Sequence, residues 1–432
     1  MKIIHLTAGT GSYYCGSCMR DQMLVHGLRR LGHEVLLVPM YLPPVLEEGQ
    51  GDDDACPIFF GGINVFLQQQ SWLFRYTPAW FDRLLDSPRL LRWSATKAEM
   101  TSPRMVGELM LSMLAGEKGR QVKELRKLTA WIKERGPWDV VSISNAMLLG
   151  VAPMLKQTLG ARIVCTLQGE DSFLDSLPEP YRTKAWDQVA TLVKACDAVT
   201  SVSDYYGHLM AKRLQMAPER VVTVHNGIDF TGYAASASAP AVVTLGYLAR
   251  QSALKGLGVL VEAFLHLAKR PHLQQLRLSV AGSRTESDAI YVSELQERIA
   301  AAGFAERTTF QGTLSREDKQ TFLRSLSVLS VPATYGEAFG LYVLEAMASG
   351  VPVVQPPSGA FPELISATQG GLLAAGDDAL SLANALDTLL SDPKRARAMG
   401  MIGNAAVREH FSADAMATKY ARLCDRGSGA AA

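Results

Sequence analysis

Short β-branched runs alternate with helical patterns along almost the whole chain, and this alternation limits the fold more than any other feature. Strand candidates in the first half are KIIHLT (2–7), EVLLVPM (34–40), INVFL (63–67), DVVSI (139–143), RIVCTL (162–167), AVTSV (198–202) and RVVTVH (220–225). Continuous apolar runs of this length suit strands buried on both faces, as in parallel sheets covered by helices. The intervening MRDQMLVHGLRRLG is amphipathic and stops at Gly32, where a helix C-cap belongs.

From Thr231 to Ala241 the text TGYAASASAPA is small, polar and without period, and reads as an interdomain linker. The alternation then restarts. AVVTLGYL, LRLSVAG, TTFQG, LSVLSVP and VPVVQP are strand candidates, with helices near 256–269, 288–302, 315–325 and 341–349. The expected fold is therefore α/β, two doubly wound domains facing one another across a ligand cleft. The domains would run 1–230 and 241–408, followed by a helix and tail over 409–432. Residues 68–135, rich in Trp and Arg, break the alternation and read as an insertion on the first domain. GSGAAA at 427–432 reads as a disordered tail.

Composition serves mainly to exclude. With 432 residues, 48% of them hydrophobic, the chain can bury two cores. The 43 basic residues balance 42 acidic ones, which removes any charge argument for nucleic acid. No apolar run of eighteen residues occurs and the N-terminus lacks a leader pattern, so a cytoplasmic location is expected. The six cysteines, at 15, 18, 56, 165, 196 and 424, are scattered, which argues against a disulfide framework. CGSC has no second ligand pair at metal spacing, and DDD at 52–54 lies in a polar loop, so no metal site is expected.

The chemistry concentrates in YGEAFGLYVLEAMASGVPVV (335–354). The strand before it ends at Pro332. Glu337 then sits on a loop at a strand's carboxyl end, where such sheets place ligands. The helix that follows offers unpaired amides near Ala338, Phe339, Gly340 and Leu341, suited to a phosphate or a developing oxyanion. Glu345, one turn further in, can accept hydrogen bonds from paired hydroxyls such as a ribose diol. A capping role for Glu337 and a solvated face for Glu345 compete with this reading. Glu345, however, is the helix's only charge and lies among Leu344, Ala346 and Met347. In GYLARQSALKGLG, Arg250 and Lys255 on another strand-to-helix loop suit a diphosphate.

These segments, with HNGID (225–229), GHEV after the first helix and PELI (362–365), resemble family 4 of the retaining, metal-independent glycosyltransferases. The likeness spans nearly the whole chain and is most specific over 327–364. It implies the GT-B architecture and transfer of a hexose-type unit from a nucleoside diphosphate sugar, of UDP or GDP type, to an acceptor hydroxyl. It implies no cofactor. By resemblance Glu337 contacts the transferred sugar beside its anomeric carbon and Glu345 binds the ribose. Arg250, Lys255, the amides at 338–341 and Gly16 would hold the diphosphate. The family often has a Gly-Gly pair where this chain has Cys15-Gly16, and a histidine where it has Gln168.

Gln168 and Glu170, in TLQGED, and Asn226 are candidates for substrate contact. The acceptor would be a carbohydrate or a lipid-linked one. Three readings exist for the aromatic, Arg-rich stretch 71–93: packing, acceptor contact, and weak peripheral attachment at the inner membrane face. Competing functions are a non-catalytic nucleotide-sugar binder and another enzyme of the same architecture, a phosphorylase or epimerase.

Overall fold

The computed structural model describes residues 1–9, 16–41, 59–60, 62–77, 103–236 and 238–425. Cys15, Cys56, the acidic run 52–54, most of the aromatic stretch and the tail lie outside them. The chain divides into two compact units, 1–225 with 416–432 and 226–415. The boundary falls at His225/Asn226, ahead of the 231–241 stretch, because that stretch packs on the second unit. Tyr233 is buried there, and Gln320 Nε2 donates to the carbonyl of Thr231 at 3.0 Å.

The first unit is a six-stranded sheet of β1 (Lys2–Thr7), β2 (Glu34–Pro39), β3 (Val140–Ile143), β4 (Arg162–Leu167), β5 (Ala198–Ser201) and β6 (Val221–Thr223). All neighbours are parallel, in the order β2-β1-β3-β4-β5-β6. Ile3, Ile4, Leu6, Val141, Ile143, Val164 and Leu167 are all sealed from solvent or nearly so, as two-sided burial requires. One sequence expectation fails: INVFL is not a strand but part of the helix Gly62–Gln70. Asn64, Val65, Gln68 and Gln69 are buried, a period of about four that only a helix gives. A five-residue run with four apolar members is ambiguous by itself, and the three glutamines after it carry the helical period onward.

The second unit contains β7 (Thr244–Leu248), β8 (Arg277–Ala281), β9 (Thr308–Gln311), β10 (Val328–Leu329), β11 (Val353–Gln355) and β12 (Gly371–Leu373). Its order is β12-β11-β10-β7-β8-β9, again all parallel. Counted from its own first strand, this is the doubly wound order 3-2-1-4-5-6. The direction of winding reverses between β7 and β10, so the loops after these two strands diverge and leave a crevice at their carboxyl ends. The first unit has the corresponding reversal between β1 and β3.

The last helix, Ala413–Asp425, belongs to the first unit from Met416 onward. Its Tyr420 hydroxyl lies 2.5 Å from Ser142 Oγ on β3, in a sealed polar network. There His5 Nδ1 meets the same Ser142 at 2.7 Å, and Thr7 Oγ1 donates to Asp21 at 2.7 Å. His5 Nε2 lies 3.2 Å from Asp21, an electrostatic contact rather than a formed hydrogen bond. Burial alone would push the Asp21 carboxyl up; His5, Arg20 and the Thr7 hydroxyl outweigh it and hold it at about 2. Among the described residues no helix is long and apolar enough to cross a membrane.

Candidate functional site

The crevice of the second sheet is bounded by the loop 249–256 after β7 and the loop 330–340 after β10. Both are pinned from behind. Gln251, fully buried, donates through Nε2 to the carbonyls of Gly282 and Gln311 at 2.9 and 2.6 Å, tying its loop to the ends of β8 and β9. The Tyr247 hydroxyl donates to the Arg250 carbonyl at 2.7 Å, and Thr334 N to the Leu254 carbonyl at 2.9 Å. The two loops touch at Gly256, whose φ is +73°; a Cβ there would stand 1.7 Å from the Pro332 carbonyl oxygen. Only glycine permits that approach.

This frame brings Lys255 to Glu337. The lysine Nζ pairs with Glu337 Oε2 and lies 2.5 Å from the Tyr335 hydroxyl. Tyr335 reaches both oxygens of Glu337 at 3.2 Å, and Tyr342 donates to Oε2 at 3.0 Å. The ammonium also lies 5.1 and 5.8 Å from the ring centres of Tyr335 and Tyr342. Burial first, and the Glu337 charge second, push the Tyr342 phenol well above its ordinary value, so it stays a donor. The Glu337 backbone is fixed too: its carbonyl accepts from Ala360 N at 3.0 Å.

The helix Leu341–Ala348 begins just beyond, with Gly340 at φ +93° as its N-cap and no side chain capping its amino end. Ala338 and Phe339 are buried at this turn, Phe339 tilted against Phe411 at 6.4 Å. The N-cap of this helix thus brings no side-chain acceptor of its own to compete for an anion at the helix's amino end. Arg250, about half exposed, goes elsewhere than Lys255. Its Nε donates to Asp288 at 2.8 Å, the carboxylate that closes the capping box of the helix Glu286–Ala301. Burial works against the Asp288 charge, but Arg250 and Thr285 hold its carboxyl below the usual range.

Glu345 is also buried, on the same helix. Its Oε1 accepts from Lys319 Nζ at 2.6 Å and from the Tyr233 hydroxyl at 3.0 Å. The second unit therefore gathers Glu337, Ala338, Phe339, Gly340, Leu341 and Glu345 on one loop-helix pair, with Lys255 and Arg250 on the neighbouring loop. Tyr335, Tyr342, Tyr233 and Lys319 were not foreseen. Lys319 did leave a signal: it precedes the buried Phe322 and Leu323 by three and four residues, which puts it on the buried face of the helix Arg316–Arg324. A lysine so placed calls for a carboxylate partner.

The remaining candidates stand on other elements. Gly16 opens the helix Gly16–Arg30 of the first unit and is exposed. Gln168, after β4, donates through Nε2 to the Ser144 carbonyl at 2.6 Å. Glu170 is sealed, with both carboxylate oxygens taken: Oε1 by Ala146 N at 2.9 Å, Oε2 by Gln168 N, Gly169 N and the Tyr206 hydroxyl at 2.8 to 3.0 Å. Burial raises its carboxyl above the ordinary value while these donors pull the other way. No oxygen of Glu170 is left for a substrate hydroxyl, so its place is in the architecture. Asn226 begins the second unit, with its side-chain oxygen buried and without a hydrogen-bond partner.

Two family models match the chain. Residues 236–405 match the group 1 glycosyl transferases and residues 107–231 match glycosyltransferase family 4. Among curated proteins, a D-inositol 3-phosphate glycosyltransferase of Stackebrandtia nassauensis is 31% identical over 54% of this chain and 55% of its own. A lipopolysaccharide core biosynthesis mannosyltransferase, LpsB of Rhizobium meliloti, is 34% identical over 43% of this chain and 52% of its own. The chain thus spans about half the length of the curated relatives it matches. Two solved structures share the fold over essentially their full lengths at 18% identity. The sucrose-phosphate synthase of Thermosynechococcus elongatus has a TM-score of 0.72, covering 100% of both chains. Anabaena Alr3699/HepE, in complex with UDP and glucose, has a TM-score of 0.68, covering 99% of this chain and 100% of that one. Both the GT-B fold and the family expected from the sequence are thereby shown.

Proposed function

We propose, for a chain that belongs to the group 1 and family 4 glycosyltransferases, that it transfers a sugar from a nucleoside diphosphate sugar to an acceptor hydroxyl, with retention and without a metal ion. The observation that carries this is the Lys255–Glu337 pair, ringed by Tyr335 and Tyr342, beside an uncapped helix end at the sheet's reversal point. The Lys255 ammonium and the amides at 338–341 bind the diphosphate. As the glycosidic bond breaks, negative charge grows on the leaving oxygen, and these preset donors stabilise it more than the ground state. Arg250 adds a second cation from the same loop as Lys255.

Glu337 has the complementary task. Its carboxylate faces the anomeric centre, where positive charge develops as the leaving group departs. Lys255, Tyr335 and Tyr342 hold that carboxylate still. The departing phosphate oxygen takes the acceptor proton on the face it leaves, which gives retention. Glu345 receives the nucleotide's ribose. The acceptor is a carbohydrate or a lipid-linked one.

The rival reading, a non-catalytic nucleotide-sugar binder, explains donor binding but gives no purpose to a carboxylate, a cation and two phenols converging on one point. The test is a panel of UDP- and GDP-sugars incubated with the full chain in excess chelator, reading slow hydrolysis and the anomeric configuration of released or transferred sugar by NMR. Turnover with retained configuration is expected. Binding without turnover for every donor, or turnover abolished by chelator, contradicts the proposal.

A further inference from the structure

We infer that Lys319 is a positioning residue for the nucleotide: together with Tyr233 it occupies one oxygen of Glu345, so that the other is presented to a ribose hydroxyl. This rests on the donor-site reading above. Three separate segments converge on the carboxylate. Tyr233 comes from the stretch after the unit boundary, Lys319 from the helix Arg316–Arg324 and Glu345 from the helix Leu341–Ala348. Only 4% of Lys319 and 6% each of Glu345 and Tyr233 are exposed. An ammonium this deep is tolerated only when paired.

What distinguishes the trio from an ordinary buried brace is the distribution of donors. Both Lys319 and Tyr233 address Oε1, at 2.6 and 3.0 Å. Among the described residues Oε2 has no donor, and it is not one of the sealed polar atoms. Glu170 shows what a purely architectural carboxylate looks like in this chain: both of its oxygens are spent on neighbouring donors. In Glu345 one oxygen is clamped and one kept open. The clamp fixes the rotamer, so a hydroxyl arriving at Oε2 meets a preset acceptor and little ordering entropy is lost on binding.

The test is calorimetric titration of the full chain with UDP, GDP and the 2′-deoxy and 3′-deoxy form of each, for the unaltered protein and for Lys319→Met, Lys319→Arg and Tyr233→Phe. A hydrogen bond to a charged acceptor makes the unaltered chain prefer the ribonucleotide by about 10- to 100-fold over at least one deoxy form. Lys319→Met brings that ratio near one while leaving affinity for the deoxy form unchanged. Lys319→Arg keeps most of it, and Tyr233→Phe lowers it about two- to fivefold. A merely structural lysine would weaken both nucleotides alike.

Full discrimination in Lys319→Met overturns the inference. If that variant does not fold, unchanged discrimination in Tyr233→Phe overturns it instead. Binding by the unaltered protein without any ribose discrimination overturns it while leaving the diphosphate site standing. Failure to bind either nucleotide overturns the donor site and this inference together.

Discussion

The two sheets each place a buried carboxylate just past a strand's carboxyl end, and they hold it in opposite ways. In the first unit Glu170 is held chiefly by backbone amides, with one phenol, and no oxygen remains open. In the second unit Glu337 and Glu345 are held wholly by side chains, an ammonium with two phenols and an ammonium with one. Amide donors belong to the chain's path and fix the loop itself. Side-chain donors carry charge to one point and leave room around it. The same fold thus uses an acid for architecture in one unit and, in our reading, for chemistry in the other.

The contrast breaks or sharpens through substitutions that separate stability from turnover. The largest effect is expected at Glu337→Gln, which keeps the shape but removes the charge facing the reacting carbon: turnover should fall roughly 10³-fold, about 4 kcal/mol of transition-state stabilisation, with the unfolding midpoint little changed. Steady-state kinetics beside a denaturant melt would show it, and an equal loss of fold would put Glu337 in the same class as Glu170. At Glu170→Ala the reverse is expected. Four donors lose their acceptor, costing roughly 3 kcal/mol of stability in the first unit, while nucleotide binding to the surviving folded protein stays unaltered.

The reversal of winding order explains why so much of this was legible beforehand. Two-sided burial makes each parallel strand a continuous apolar run, and strand ends mark the loops that carry ligands, so Glu337, Lys255 and the 341–348 helix could be placed from sequence. The partners of these groups could not. Tyr335 and Tyr342 read as ordinary loop and core aromatics, and the Lys319–Glu345 pairing spans 26 residues with no local pattern to announce it. INVFL misled because four apolar residues in a run of five fit either period. Glu170 read as a candidate for substrate contact because nothing in the sequence shows the amides and the phenol that fold around its carboxylate.

A third test lies in pH. The Asp21 carboxyl, held at about 2 against its ordinary 3.8, stabilises the fold fully above the ordinary value, and that stability is lost as pH falls from about 4 towards 2. The shift corresponds to about 2 kcal/mol. Urea melts of the first unit's signal across this range should show the decline, and Asp21→Asn should flatten it. A pH-independent midpoint in the unaltered protein would remove the buried network from the account of the first unit. The smallest effect is expected at Tyr342→Phe. Losing one of the three groups on Glu337 should slow turnover about fivefold, near 1 kcal/mol, with donor affinity preserved. A change in affinity instead would assign Tyr342 to donor binding rather than to steadying the acid.

The account depends above all on a diphosphate resting against Lys255 and the uncapped end of the 341–348 helix. Calorimetric titration of the full chain with UDP and GDP against their parent nucleosides, in chelator, for the unaltered protein and for Lys255→Met, measures this directly. The account predicts that the diphosphates bind at least about 100-fold tighter than the nucleosides, and that Lys255→Met removes most of that advantage. Equal affinity for nucleoside and diphosphate, or an advantage untouched by the loss of Lys255, would contradict it.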